Sequence, residues 1–81
     1  MTSQDPTAAL VTGAAQGIGK AIAERFGAED DHDHVICIDI QDTVEETAAD
    51  IEGGRAYVGD VADQDRIQEI VADVESDARI T

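Results

Sequence analysis

A short apolar run, a glycine-rich turn and an amphipathic helix follow one another near the start of the chain, and this order restricts the fold most. Residues 8–12 form the apolar run, which ends directly at Gly13. The turn continues through Gly17 and Gly19. Apolar residues then recur every four positions, at Ile18, Ile22 and Phe26, which is the spacing of one face of a helix. A buried strand that turns through glycines into a helix predicts the first unit of a parallel α/β sheet.

The same order, a strand followed by a helix, occurs twice more along the chain. Apolar runs at 35–40 and 56–58 predict the second and third strands. Thr43 and Glu46 fit a capping box at the start of the second helix. Asp63 is placed to cap the third helix. Continuous apolar strands that alternate with helices indicate a parallel sheet with right-handed crossovers and both faces covered.

The predicted architecture is therefore an α/β, Rossmann-type parallel sheet of three strands in the order 3-2-1 with three helices. We expect a polar tail over residues 1–7 and an incomplete doubly wound domain over residues 8–81. In this arrangement the first strand lies at an edge of the sheet, although its apolar sequence is typical of a central strand. The exposed edge predicts association with another chain at this strand.

The glycine turn carries the first chemical prediction. Backbone N–H groups at the start of a helix bind a pyrophosphate, and the helix dipole favours its negative charge. Gly13, Gly17 and Gly19 permit unusual dihedral angles and close approach of the phosphate. Their spacing is G-x-x-x-G-x-G, which differs from the general dinucleotide pattern G-x-G-x-x-G.

An acidic residue at the end of the second strand strengthens this prediction. Asp39 follows Gly19 by twenty residues, where a carboxylate accepts hydrogen bonds from the hydroxyls of an adenosine ribose. The same carboxylate repels a 2′-phosphate, so NAD is favoured over NADP. The alternative interpretation is a tight turn followed by a solvated aspartate.

The segment Thr12–Gly19, with the sequence TGAAQGIG, resembles the T-G-x-x-x-G-x-G turn of short-chain dehydrogenases/reductases, and the resemblance extends from about Ala8 to the end. It implies that the Asp60 carboxylate meets the adenine amino group and that Val61 packs on the ring. Family members that prefer NADP usually carry a basic residue where this chain has Gln16 or Ile40, which agrees with NAD as the cofactor. The implied cofactor-binding set is Gly13, Gln16, Gly17, Ile18, Gly19, Asp39, Ile40, Asp60 and Val61.

The catalytic residues of that family have no match in the chain. The family uses a serine and a Tyr-x-x-x-Lys pair, but the only tyrosine, Tyr57, is followed four residues later by Val61. The only lysine, Lys20, lies in the first predicted helix. We therefore expect an N-terminal NAD-binding fragment of an oxidoreductase that transfers hydride between nicotinamide and a carbonyl or alcohol, inactive on its own. The alternative is a non-catalytic dinucleotide-binding or interaction module that docks onto a partner.

The charge balance excludes some partners. The 81 residues include 19 acidic and 5 basic ones, and a net charge of −14 disfavours binding to nucleic acid or to an anionic membrane. Acidic residues spread along a folded chain suggest a halophilic protein from a salt-rich cytoplasm, where counterions screen the repulsion. We expect transfer to low salt to unfold the chain, measured by circular dichroism. Stability independent of salt would contradict this expectation.

Three remaining features predict little chemistry. Cys37, the single cysteine, lies in an apolar run and indicates a buried, unreactive thiol. The segment 30–34, with the sequence DDHDH, is more typical of a solvated loop than of a metal site, since adjacent residues rarely converge on one ion. The first six residues do not resemble a signal peptide, and no apolar run approaches the roughly 20 residues that span a bilayer, so a cytoplasmic protein is expected.

Overall fold

The computed structural model describes residues 6–29 and 32–80. Its elements are β1 (Thr7–Thr12), α1 (Gly17–Glu29), β2 (His34–Asp39), α2 (Val44–Ala49), β3 (Gly54–Val58), α3 (Gln64–Glu75) and β4 (Arg79–Ile80). All strand pairs are parallel, and the sheet has the order β3-β2-β1-β4. The predicted α/β class, the 3-2-1 order and the three helices are confirmed. None of the helices in the described ranges has the length and apolar character needed to cross a membrane.

The prediction of three strands with β1 at the edge is wrong. The two-residue strand β4 pairs with the beginning of β1, where Thr7 lies opposite Arg79 and Ala8 opposite Ile80. The Arg79 N–H also donates to the Pro6 carbonyl at 2.7 Å. A strand of two residues is too short to produce an apolar run, so the sequence pattern did not predict it. Because β4 pairs with Thr7 and Ala8, these two residues of β1 are not an exposed edge at which another chain could pair.

The sheet is covered on both faces, and β2 supplies the centre of each core. Val35 and Cys37 contact the side that carries α1 and α2, whereas Ile36 and Ile38 contact the side that carries α3. The alternation follows from the two-residue period of a strand. Consistent with burial on both faces, the four residues 35–38 are at most 1% exposed. The apolar run at 35–40 correctly predicted this central strand.

The outer surface of α1 departs from the sequence prediction. The four-residue spacing of Ile18, Ile22 and Phe26 correctly predicts a helix, but only the last of these residues contacts the core. Ile18 is 80% exposed and Ile22 43% exposed, while Phe26 packs partly against the core. Ala23 is the one α1 residue that is buried among those described, and its small side chain lets the helix lie close to the sheet.

The two predicted helix caps have different outcomes. Thr43 has helical dihedral angles and its side chain makes no capping hydrogen bond, so the predicted capping box of α2 is wrong. Backbone bonds open this helix instead, because the N–H of Glu46 donates to the carbonyl of Thr43. The predicted cap of α3 is confirmed, since Asp63 Oδ1 accepts from the N–H of Arg66 at 3.2 Å.

The thiol of Cys37 is expected to react with a disulfide reagent only after the chain unfolds. Its side chain is fully buried in β2, and burial raises the pKa of the thiol to about 11. At pH 8 the reactive thiolate is then roughly a thousandth of the population, and the reagent has no access to it. Labelling with a chromogenic disulfide should therefore follow the unfolding rate across a urea series. Rapid labelling of the folded chain, at the rate found in full denaturant, would contradict the buried position.

Candidate functional site

A crevice of about 200 Å³ lies at the edge of the sheet where β1, β2 and β3 end. Its lining residues are Gly13, Asp39, Ile40, Gly59, Asp60 and Val61. The chain runs from β1 outwards through β2 to β3, and it returns to the other side of β1 as β4. Ligands of open α/β sheets bind outside the carboxyl ends of the strands, near such a reversal of strand order. The crevice is therefore placed where this architecture offers a binding site.

The glycine turn between β1 and α1 needs its glycines for two different reasons. Gly13 and Gly17 have φ angles of 66° and 63°, in the left-handed region that other residues rarely adopt. At Gly19 the requirement is space, since an added Cβ would lie 2.0 Å from the Gly13 carbonyl oxygen. The first turn of α1 carries no acidic residue, so no carboxylate competes there with an anion. The turn thus contributes Gly13 to the crevice lining and leads from there into α1.

Asp39 connects the end of β2 to the glycine turn. Its Oδ2 accepts a hydrogen bond from the Ala15 N–H at 3.0 Å, and its Oδ1 accepts one from the Gln41 N–H at 3.0 Å. The Ala14 N–H donates to the Ile38 carbonyl at 3.2 Å, which adds a second link between the same segments. The N–H donors of Gln41 and then Ala15 hold the pKa of the Asp39 carboxyl below its ordinary value. The carboxylate therefore stays charged in the crevice.

The lowered pKa of Asp39 predicts a contribution to stability that depends on pH. Because the folded-state pKa lies below the unfolded one, the contribution is present above the unfolded pKa and is lost as pH falls through the folded value. The difference in the free energy of unfolding between the wild type and Asp39→Asn should therefore shrink below about pH 4, near the ordinary aspartate pKa. Urea unfolding at pH 7 and pH 3 measures this difference, with Asp42→Asn as the control. An equal difference at both values would contradict the prediction.

Asp60 and Val61 form the wall of the crevice that follows β3. The Gly59 N–H donates to the Asp39 carbonyl at 2.9 Å, which continues the pairing of β3 with β2. Asp60 Oδ1 accepts from the Ala62 N–H at 2.9 Å, so Oδ2 remains for a ligand. Val61 is 56% exposed and Ile40 is 65% exposed. Two exposed apolar side chains at the crevice provide surfaces on which a flat ring can pack.

The structure brings together five of the nine residues that the sequence assigned to the cofactor. Gly13, Asp39, Ile40, Asp60 and Val61 line the crevice. The other four, Gln16, Gly17, Ile18 and Gly19, lie in the turn and the first residues of α1, and they do not line it.

Two contributors to the site were missing from the predicted set. Gly59 lines the crevice, and its position directly after a strand was the available signal. Ala15 acts through its backbone N–H, which leaves no mark in the sequence.

Tyr57 and Asp33, two residues considered in the sequence analysis, form hydrogen bonds within the fold. The Tyr57 hydroxyl donates to Asp73 of α3, and burial, followed by the Asp73 carboxylate, raises the pKa of this phenol. Asp33 Oδ2 accepts from the Thr7 N–H at 2.9 Å. Asp30 and Asp31 lie outside the described residues. Among residues 6–29 and 32–80, no three histidine, cysteine, aspartate or glutamate side chains are grouped so that they could hold a metal ion.

The sheet order, the glycine turn and the crevice at the strand ends define a Rossmann-type α/β protein. The sequence matches the short chain dehydrogenase family over residues 7–79. The chain therefore belongs to the short-chain dehydrogenase family.

Two similar proteins are named as dehydrogenases, and a third carries a different name. An NAD-dependent glycerol dehydrogenase of Listeria innocua serovar 6a is 40% identical over 68 residues, which are 82% of this chain and 26% of the relative. A crystal structure of a short-chain dehydrogenase from Streptomyces avermitilis is 34% identical with a TM-score of 0.76, over 91% of this chain and 27% of that one. A crystal structure named as ribose-5-phosphate isomerase from Brucella melitensis 16M is 28% identical with a TM-score of 0.75, over 90% of this chain and 28% of that one.

The shared region covers a limited part of each relative. The chain spans 26% of the length of the glycerol dehydrogenase and 27% of the Streptomyces avermitilis protein. The similarity therefore concerns the region of the sheet that contains the glycine turn and the crevice. The relatives carry different names, a dehydrogenase and an isomerase, so similarity in this region does not specify a reaction.

Proposed function

We propose that this chain binds the adenosine and pyrophosphate portion of NAD, as the N-terminal cofactor-binding part of a short-chain oxidoreductase. The observation that carries the proposal is the position of the Asp39 carboxylate. It lines a crevice at the ends of three parallel strands and accepts a hydrogen bond from the glycine turn. An anion-binding turn and a carboxylate that accepts from sugar hydroxyls are thereby adjacent, as a dinucleotide requires.

Each part of the cofactor has a matching group in the chain. The N–H groups at the start of α1, in the turn that includes Gly17 and Gly19, suit the pyrophosphate. Asp39 suits the ribose hydroxyls, and Asp60 Oδ2 suits the adenine amino group. Val61 and Ile40 supply apolar surface for the adenine ring. Gln16 and Ile18 stand in the turn and at the start of α1, where they border the phosphates in this proposal.

The preference for NAD over NADP rests on charge. A 2′-phosphate on the ribose would meet the Asp39 carboxylate, whose pKa is lowered and which therefore stays ionised. Gln16 and Ile40 offer no positive charge to compensate. The glycerol dehydrogenase relative is named as NAD-dependent, which supports the same choice.

The bound nicotinamide would supply hydride transfer to or from a carbonyl or alcohol substrate. Within the 81 residues the single tyrosine is Tyr57, and Val61 stands where a Tyr-x-x-x-Lys pair needs its lysine. The raised pKa of Tyr57 and its bond to Asp73 also oppose a role as a phenolate base. We therefore expect no hydride transfer by this chain alone.

A second candidate is a non-catalytic dinucleotide-binding or interaction module that docks onto another protein. The exposure of Ile18 and Ile22 on the outer surface of α1 favours this candidate, because a contiguous exposed apolar surface is typical of a contact site. The two candidates differ in one measurement. A mixture of this chain with the rest of a short-chain oxidoreductase should restore hydride transfer under the first proposal, whereas the module would bind NAD without restoring it.

Titration of the 81-residue chain with NAD, ADP and NADP tests the binding proposal. Amide chemical shifts are the readout, and molar KCl screens the net charge of −14. We expect weak saturable binding of NAD and ADP, with shifts concentrated at residues 13–19, 39–41 and 59–61, and weaker binding of NADP. Shifts spread evenly over the chain, or no saturation, would contradict the proposed function.

A further inference from the structure

Arg66, in the first turn of α3, reaches back to the end of β3. Its Nε and Nη2 both donate to the Val58 carbonyl, at 3.1 and 3.0 Å. Val58 is the last residue of β3, and the next residue, Gly59, begins the crevice wall. The planar guanidinium uses one edge for both bonds, which fixes its orientation better than a single donor would.

The side chain of Arg66 also lies against Gly59. A Cβ added to Gly59 would stand 2.8 Å from the Arg66 Cγ and 3.1 Å from its Nε. A larger residue at position 59 would therefore displace the Arg66 side chain. The third guanidinium nitrogen, Nη1, lies 3.7 Å from Glu69 Oε1, which directs the group along α3.

The segment between Val58 and Arg66 contains the crevice residues Asp60 and Val61. Internal bonds make it a tight turn, since the Asp63 N–H donates to the Asp60 carbonyl at 2.9 Å and Asp63 in turn caps α3. Its first end is held to β2 by the bond from the Gly59 N–H to the Asp39 carbonyl, and its second end is the cap of α3. Arg66 joins those ends, because it belongs to α3 and binds the last carbonyl of β3.

We propose that Arg66 is a positioning residue for the adenine pocket: it sets the placement of Asp60 and Val61 through its two bonds to Val58 and its contact with Gly59. The inference rests on the proposed binding of NAD by this site. Arg66 itself touches no part of the cofactor in this proposal. It acts on the adenine portion, because the bonds that hold the Asp39 carboxylate to Ala15 and Gln41 do not involve Arg66.

Arg66→Met tests the proposal, since methionine keeps most of the side-chain length and loses both donors. Arg25→Met is the matched control, because Arg25 is an exposed α1 residue paired with Glu29 and its loss changes the net charge equally. Arg66→Lys keeps the charge but lacks the planar pair of donors. The ligands are ADP, whose adenine amino group would donate a hydrogen bond to Asp60, and inosine 5′-diphosphate, which carries a carbonyl oxygen in place of that amino group.

We expect wild type and Arg25→Met to bind ADP more tightly than inosine 5′-diphosphate, by about tenfold, the size of one hydrogen bond to a charged group. Arg66→Met should lose most of this ratio while binding inosine 5′-diphosphate nearly as before, and Arg66→Lys should fall between. The amides of residues 59–63 should also exchange with solvent faster in Arg66→Met.

The outcomes separate the two levels of the proposal. The positioning role of Arg66 would be overturned if Arg66→Met bound both ligands equally more weakly. It would also be overturned if this variant kept the wild-type ratio of affinities and the wild-type amide exchange at residues 59–63. Either result would leave the proposed binding of NAD intact. Failure of the wild type to bind ADP would overturn the proposed function, and the role of Arg66 with it. If Arg66→Met is unfolded by its amide spectrum, Arg66→Lys decides by the same ratio and the same exchange rates.

Discussion

Replacing Gly19 by alanine is expected to lower the free energy of unfolding by about 2 kcal/mol or more and to remove detectable NAD binding. The added Cβ would lie 2.0 Å from the carbonyl oxygen of Gly13, 2.6 Å from its carbon and 3.0 Å from the Thr12 oxygen. All three atoms belong to the backbone of β1 and the turn, so no side chain can rotate away. Relief therefore requires α1 to move away from the end of β1.

A loss of this size matters because the chain is small. Native domains are stable by roughly 0.05–0.15 kcal/mol per residue, so a chain of this length has about 4–12 kcal/mol in total. The same displacement also carries the N–H groups at the start of α1 away from the Asp39 carboxylate, and the proposed pyrophosphate and ribose contacts can no longer form together. Binding is for this reason more sensitive than stability.

Gly17→Ala is the matched control, because it makes the same chemical change two residues away. Its φ of 63° disfavours alanine, but no atom lies within 4 Å of the added Cβ. We expect a cost of about 1 kcal/mol from the left-handed conformation alone. Urea unfolding followed by circular dichroism, together with NAD titration, compares the two variants. A Gly19→Ala chain that is as stable as Gly17→Ala and binds NAD would show that α1 does not depend on this close approach.

The parts of the fold that could be predicted are those in which local sequence and backbone chemistry agree. The run around Ile36 is apolar at every position because β2 is covered on both faces, and such a run has few alternatives. The turn at Gly13–Gly19 was predictable because glycine spacing reports backbone conformation directly. The position of Asp39 was predictable because the apolar run of the second strand ends there.

The parts that could not be predicted depend on contacts between distant segments. The strand β4, which pairs with β1, consists only of Arg79 and Ile80, and two residues are too few to form a recognisable apolar run. Periodicity revealed the stripe of Ile18 and Ile22 but not which way it faces, since a helix with small residues such as Ala23 can lie on the sheet through either side. The bond from Arg66 to Val58 spans eight residues and depends on the turn between them. Such links become visible only when the whole chain is assembled.

Removing the negative charge at the end of β2 and adding a positive one beside it is expected to reverse the cofactor preference. In the wild type the Asp39 carboxylate is held by the Ala15 and Gln41 N–H groups, and Ile40 is 65% exposed at the same crevice. Each unit of negative charge on a 2′-phosphate about 5 Å from the Asp39 carboxylate raises the energy by about 1–3 kcal/mol, at effective dielectric constants between those of water and a protein surface. The double variant Asp39→Asn/Ile40→Arg replaces this repulsion by attraction.

The single variant Asp39→Asn separates the two effects. It should lower the affinity for NAD about tenfold, because charge-assisted hydrogen bonds to the ribose are lost. The affinity for NADP should stay unchanged or rise slightly. Asp42→Asn is the matched control, since Asp42 is an exposed acidic residue three positions further along and does not line the crevice. It changes the net charge equally and should alter both affinities by less than twofold.

Dissociation constants of NAD and NADP for the wild type and the three variants, measured by amide shifts at one salt concentration, give the comparison. The ratio should change from a preference for NAD in the wild type to a preference for NADP in Asp39→Asn/Ile40→Arg. A general loss of fold would weaken the binding of NAD and NADP together. A change in the ratio of their dissociation constants therefore reports the charge at this site. A 2′-phosphate bound at position 39 would be attracted by an arginine at position 40. If the double variant still prefers NAD, the ribose therefore does not bind at Asp39.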